Sequence, residues 1–277
     1  MMKARYVGDK ISYKRMTTQE LRDNFLLEEI FKPSEIILHY TDVDRAIIGG
    51  IVPQKDALSL PQSKALGTDY FTQRREIGVI NIGGEGVVEV EGEAYDMQRL
   101  DSLYIGTENK SISFASKNAD KPAQFYLASY PAHKKYPTKK VTQAEANKVE
   151  LGSKKTANER IIYQSLAPGI VDSCQLVMGF TDLAEGSIWN TMPAHTHERR
   201  TEIYMYFDMG EEDFIVHLMG EPSETKSIIT RNGQAVLSPS WSIHSGAGSA
   251  RYTFIWSMGG ENQVFDDMDG IDIKKFK

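Results

Sequence analysis

The chain of 277 residues carries 32 Lys and Arg against 38 Asp and Glu, a net charge of −6, and so lacks the cationic excess on which non-specific nucleic-acid binding leans. Hydrophobic residues make up 40% and charged residues 25%, ordinary globular proportions that exclude a disordered chain and suit two domains or one large β-rich domain. No run approaches the roughly 20 apolar residues of a membrane span, the start reads without a signal peptide, and one cysteine, Cys174, cannot form an intrachain disulfide, so a cytoplasmic protein that binds neither membrane nor nucleic acid is expected.

In chain order, residues 17–32 predict a helix. Thr18 is placed to cap it, and Leu21, Phe25, Leu26 and Ile30 fall on one face. Short runs rich in Val, Ile, Tyr and Phe then alternate with Gly, Pro and Asp turns, among them EIILHYT, EIGVINIGG, GVVEVEG and QFYLASY, the rhythm of an all-β sandwich or barrel. Residues 131–158 are polar and lysine-rich, which predicts a linker with a short helix around Gln143–Lys148. Strands resume near Arg160 and run to about Trp256. Cys174, in a predicted strand, reads as a buried inert thiol. The expected organisation is an N-terminal arm (1–35), a β-domain (36–135), a linker (136–158) and a second β-domain (159–277).

The two β-domains share a pattern. REIGVINIGG at 75–84 overlays TEIYMYFDMG at 201–210, which sets Glu76 on Glu202 and Gly84 on Gly210, a common offset of 126 residues (202 − 76).

Chemistry concentrates in the second copy. His195 and His197 are two residues apart and point the same way from an extended strand. Glu202 opens the next β-run and His244 follows later. Three imidazoles and a carboxylate suit zinc or another first-row divalent ion. His39, His133 and His217 read as ordinary core or surface histidines. The spacing resembles the cupin superfamily. His-x-His, four residues, Glu202 and then Gly210 match its first motif; Gly233, Pro239 and His244 match its second. Trp241 stands where that motif has glycine and Gly248 where it has asparagine. The resemblance implies a mostly β bicupin, two jelly-roll-like barrels in tandem. Asp69 and Phe71 occupy the N-terminal positions that would match His195 and His197, so the N-terminal cupin is expected to lack a metal and Glu76 to be a plain buried carboxylate.

At RREIGVINIGG (74–84), PAHKKYPTKKV (131–141), WNTMPAHTHERR (189–200), SPSWSIHSG (238–246) and ENQVFDDMD (261–269) the likeness narrows. These strings, spread almost end to end, resemble the 4-deoxy-L-threo-5-hexosulose-uronate ketol-isomerase family. The resemblance implies isomerisation of 5-dehydro-4-deoxy-D-glucuronate to 3-deoxy-D-glycero-2,5-hexodiulosonate in pectin breakdown, one Zn2+ per chain on His195, His197, Glu202 and His244, and a cytoplasmic homohexamer.

Such a reaction needs a proton donor or shuttle and a cation for the substrate carboxylate. Strand alternation turns Tyr204 and Tyr206 inward with Glu202, which makes them catalytic candidates beside the simpler role of core filling. Arg199 and Arg200 are the nearest candidates for the carboxylate, with Lys139 and Lys140 behind them, and Trp241 would restyle the pocket. Three readings compete: a 5-deoxy-glucuronate isomerase, an iron oxygenase, and a metal- or sugar-binding module without catalysis.

Overall fold

Alternation of apolar and polar residues, broken by turns, yields strands along the length of the chain, in a computed structural model that describes residues 2–61 and 64–277. The chain forms two units.

The first unit holds Glu29–Ala146 and Ser165–Val177 with the first residues of the chain. Its larger sheet runs Lys3–Arg5, Ile36–Thr41, Ile47–Ile51, Phe125–Pro131, Arg75–Asn81, Ser102–Ile105, Lys139–Val141. The smaller runs Leu58–Ser59, Ile112–Ser116, Gly86–Val90, Glu93–Met97. Ile77, Val79, Leu103 and Leu127 from one sheet and Val88, Val90, Met97 and Phe114 from the other form one buried core, which makes the unit a sandwich. The hairpin between Gly86–Val90 and Glu93–Met97 turns at Glu91 and Gly92, with φ of 51° and 84°. Two left-handed residues give the turn whose twist matches that of the strands.

The second unit holds Tyr6–Glu28, Asn147–Gln164 and Met178–Lys277. Its main sheet runs Asn147–Leu151, Arg160–Leu166, Val177–Leu183, Thr253–Gly260, Arg200–Phe207, Ala235–Ser238, Leu26–Leu27. A three-stranded sheet, Lys226–Thr230, Ile215–Gly220, Ile243–Gly248, and a short pair, His195–Thr196 with Asp269–Gly270, complete it. Among the described residues no helix is long and apolar enough to cross a membrane.

The predicted helix is present but shorter, Thr18–Phe25, and Thr17 rather than Thr18 caps it in a reciprocal capping box with Glu20. It stops because Leu26 and Leu27, both buried, pair as a strand with Val236 and Ala235. The expected linker is also built into sheets: Lys139–Val141 pairs with Ser102–Ile105 and Asn147–Leu151 with Arg160–Leu166. Where a helix around Gln143–Lys148 was expected there is a turn held by Glu145 on the Thr142 N–H and hydroxyl. Cys174 lies in a half-buried bend rather than a strand, and burial raises its thiol pKa.

Candidate metal centre and adjoining cavity

Each cluster residue is delivered by a different local device. His195 sits in the short strand His195–Thr196, paired with Asp269–Gly270. His197 follows after one residue. Glu202 sits in Arg200–Phe207, opposite Ser238 and Met258. His244 sits in Ile243–Gly248, opposite Met219. The four side chains converge: Nε2 of His195 is 3.1 Å from Nε2 of both His197 and His244. Glu202 Oε2 is 2.8 Å from His197 Nε2 and 2.9 Å from His244 Nε2. Among the described residues this is the one group of His, Cys, Asp and Glu that could hold a metal ion, with donor atoms within 4.8 Å of one another.

The protonation pattern points the same way. His197 Nδ1 lies 2.7 Å from the carbonyl oxygen of Asp267. A carbonyl only accepts, so Nδ1 carries the proton and, in a neutral ring, Nε2 presents a lone pair to Glu202. Burial first, then the His244 ring, pushes the His195 pKa down to about 2, so that ring is neutral. Three imidazole nitrogens and a buried carboxylate oxygen converging at 2.8–3.1 Å form a donor set for a cation. Tetrahedral bonds of about 2.0–2.1 Å place ligand atoms about 3.3 Å apart, close to the spacings found. The donor set and its spacing therefore fit a divalent metal.

A cavity opens beside the cluster. Met192, Pro193, Phe254, Trp256, Phe265 and Met268 make its walls largely apolar. Thr181, Thr191, Tyr204 and Arg160 add polar groups beside His195, His197 and Glu202.

The other predicted residues divide. Tyr204 lines the cavity and its hydroxyl is 2.7 Å from that of Thr191. Tyr206 does not line it; its hydroxyl lies 2.6 Å from Nδ1 of buried His217. Arg199 and Arg200 are committed elsewhere. Arg199 Nε grips the Asp267 carboxylate at 2.7 and 3.0 Å. Arg200, 1% exposed, donates to the carbonyls of Val264, Phe265 and Asp267 at 2.7, 3.0 and 3.3 Å. Both strap the segment 261–270 beside the cluster. Trp241 packs against the rings of Tyr13 and Phe25, at centroid distances of 4.7 and 6.3 Å, and does not line the cavity. Lys140 pairs with Asp101 in the first unit. Two features escaped the sequence reading: Arg160, whose strand alternation with Ile162 was the available signal, and the strap, whose FDDMD string was noticed without a role.

In the first unit Phe71 is core. Glu76, fully buried, accepts from the backbone N–H groups of Cys174, Gln175 and Leu176 at 2.7–2.8 Å and from the Tyr104 hydroxyl at 2.8 Å. It is a clamp for the segment Ser165–Val177. Glu76→Ala is expected to lower stability by about 2–4 kcal/mol, since it strands four donors, with the metal-binding capacity of the cluster unchanged. Urea unfolding and metal analysis of the same sample check both, and a loss of metal binding equal to that of a cluster variant would contradict the clamp.

The family described as KduI/IolB matches residues 30–273. The chain is 51% identical to the 4-deoxy-L-threo-5-hexosulose-uronate ketol-isomerase of Lachnoclostridium phytofermentans over 276 residues, covering 100% of both chains. It is 50% identical to that of Formosa agariphila, covering 99% of this chain and 98% of the other. Among solved structures it is similar to an IolB-like protein of Salmonella typhimurium, with a TM-score of 0.68, 13% identity, and 87% and 94% of the two chains covered. A variant of Bacillus subtilis oxalate decarboxylase gives a TM-score of 0.54 at 9% identity, with 79% and 70% covered. At such identities the structures speak for the fold alone, and they support the cupin architecture.

Proposed function

Because the chain belongs to the KduI/IolB family, we propose that it is a zinc-dependent aldose–ketose isomerase converting 5-dehydro-4-deoxy-D-glucuronate to 3-deoxy-D-glycero-2,5-hexodiulosonate in pectin catabolism. The observation that carries the reading is the His195–His197–Glu202–His244 cluster opening onto a largely apolar cavity, in a chain about half identical to curated ketol-isomerases along its whole length. The same relationship supports a cytoplasmic homo-oligomer, a hexamer by resemblance.

The reaction moves a proton from C2 to C1 through an enediol. The C1 carbonyl becomes a hydroxyl and the C2 hydroxyl a carbonyl. Zinc bound by the four residues would supply Lewis-acid stabilisation of negative charge on the two oxygens and orient them. The apolar walls exclude water, which strengthens every charge interaction inside. Burial, then the charge of Glu202, raises the Tyr204 pKa well above the ordinary phenol value. Tyr204 is therefore a neutral O–H donor and not a base, and Thr191 sets its direction. It is placed to donate to an enediolate oxygen. Tyr204→Phe is expected to lower kcat about 10- to 100-fold, with KM little changed, while Tyr206→Phe, one layer deeper, has the smaller effect. Equal turnover in wild type and Tyr204→Phe would remove the phenol from the mechanism.

The decisive assay follows conversion of 5-dehydro-4-deoxy-D-glucuronate with and without chelator and after zinc is returned. Activity lost with chelator and restored by zinc supports the proposal. The family description also embraces IolB, so 5-deoxy-glucuronate is the second substrate to assay; preference for it over the first would reassign the reaction.

A further inference from the structure

We propose that Arg160 binds the carboxylate at the far end of the substrate and so selects acids of the right chain length, an assignment that rests on the isomerase reading above. Arg160 is the one Lys or Arg among the described residues that line the cavity. The arginines nearest the cluster in sequence are held by the Asp267 carboxylate and by strap carbonyls. Unlike them, Arg160 lines the cavity. Its Nη1 donates to the Asn158 carbonyl at 2.8 Å, and no carboxylate stands within ion-pair distance of it among the described residues. The charge-sensitive groups facing it are the phenols of Tyr204 and Tyr252. Asn158 is itself fixed: its Oδ1 takes the Ser153 N–H at 3.1 Å and its Nδ2 donates to the Met192 carbonyl at 3.2 Å, on the cavity wall. Glu150, Glu159 and Asp182 line a neighbouring cavity with Arg160, but none makes an ion pair with it, so a half-buried guanidinium oriented by a rigid carbonyl is open to pairing with an incoming carboxylate.

The strand order gives the spacing. Arg160 and Glu202 are separated by the strands Val177–Leu183 and Thr253–Gly260, three strand intervals of about 4.8 Å, or about 14 Å at the backbone. Both side chains reach into the cavity and shorten that span. The remaining gap suits an extended six-carbon acid whose C1 and C2 oxygens meet the cluster while C6 meets the guanidinium. The apolar wall between the poles suits a chain lacking a hydroxyl at C4.

The test combines kinetics with binding to zinc-loaded protein. Arg160→Met is expected to lower kcat/KM for the uronate about 100-fold, mostly through KM, and Arg160→Lys, which keeps the charge but not the fork, to recover part of it. Calorimetric titration uses two inert six-carbon probes, D-gluconate and D-glucitol, which differ in the carboxylate. Wild type should prefer gluconate at least tenfold, and Arg160→Met should lose that preference. A preference that survives in Arg160→Met, or an unchanged KM, overturns the assignment. If wild type does not convert the uronate, the isomerase reading fails, and the titration still decides Arg160. Should Arg160→Met fold poorly, Arg160→Gln, closer in polarity, replaces it in both measurements with the same expected outcome.

Discussion

Glu202→Gln is expected to lower turnover about 10³-fold and to leave the purified protein with little bound zinc. The carboxylate is 6% exposed and contributes the one negative charge of the cluster. The amide keeps an oxygen donor of the same reach but removes the charge that offsets a divalent cation in a buried site. Lewis-acid stabilisation contributes several kcal/mol to such reactions, and each 1.36 kcal/mol is a factor of ten. The fold should survive, because Glu202 lies near the start of a strand paired on both sides. Metal analysis beside a thermal melt checks this directly. A variant that retains one zinc per chain and wild-type turnover would show that the cluster is not the reacting site.

The second large effect is expected at Arg200. Arg200→Met removes the buried donors that hold the carbonyls of Val264, Phe265 and Asp267. A stability loss of about 2–4 kcal/mol follows from hydrogen bonds to a charged group. The more telling effect is indirect. The Asp267 carbonyl fixes the proton of His197 on Nδ1, and a partner of this kind is worth about 10- to 100-fold in metal affinity. Competition with a chromophoric chelator should therefore show weaker zinc binding together with the lower urea midpoint. A raised KM with unchanged zinc affinity would return Arg200 to the role of substrate ligand.

Those two residues mark what local pattern conveys. The cluster was legible because a two-residue spacing on an extended strand and one carboxylate at a β-run are local facts, and their geometry is set by strand alternation. The mostly β architecture was legible for the same reason: short alternating runs separated by turns. Arg160 was not, because it approaches Glu202 through the order of strands in a sheet, a property of long-range pairing. The partners of Arg199 and Arg200 were not legible for the same reason. Adjacency to His197 in sequence placed them beside the cluster, yet the segment 261–270, more than 60 positions away, supplies the acceptors that hold them. Trp241 is similar. Its place in the second motif suggested the pocket, whereas Tyr13 and Phe25, from the far end of the chain, take up its ring. The helix ended early because Leu26 and Leu27 answer to a partner at 235–236.

That last pairing bears on how the protein is made. Leu26 and Val236 are 210 positions apart (236 − 26), so an edge of the second sheet is among the earliest segments synthesised and among the last to find its neighbour. The first sandwich also waits, since the Glu76 clamp receives its backbone donors at 174–176, well after the last of its own strands, Lys139–Val141, has emerged. Contacts of such separation slow folding and prolong the exposure of apolar edges. During translation the two leucines after the helix Thr18–Phe25 must remain without their strand partner while most of the chain passes the ribosome.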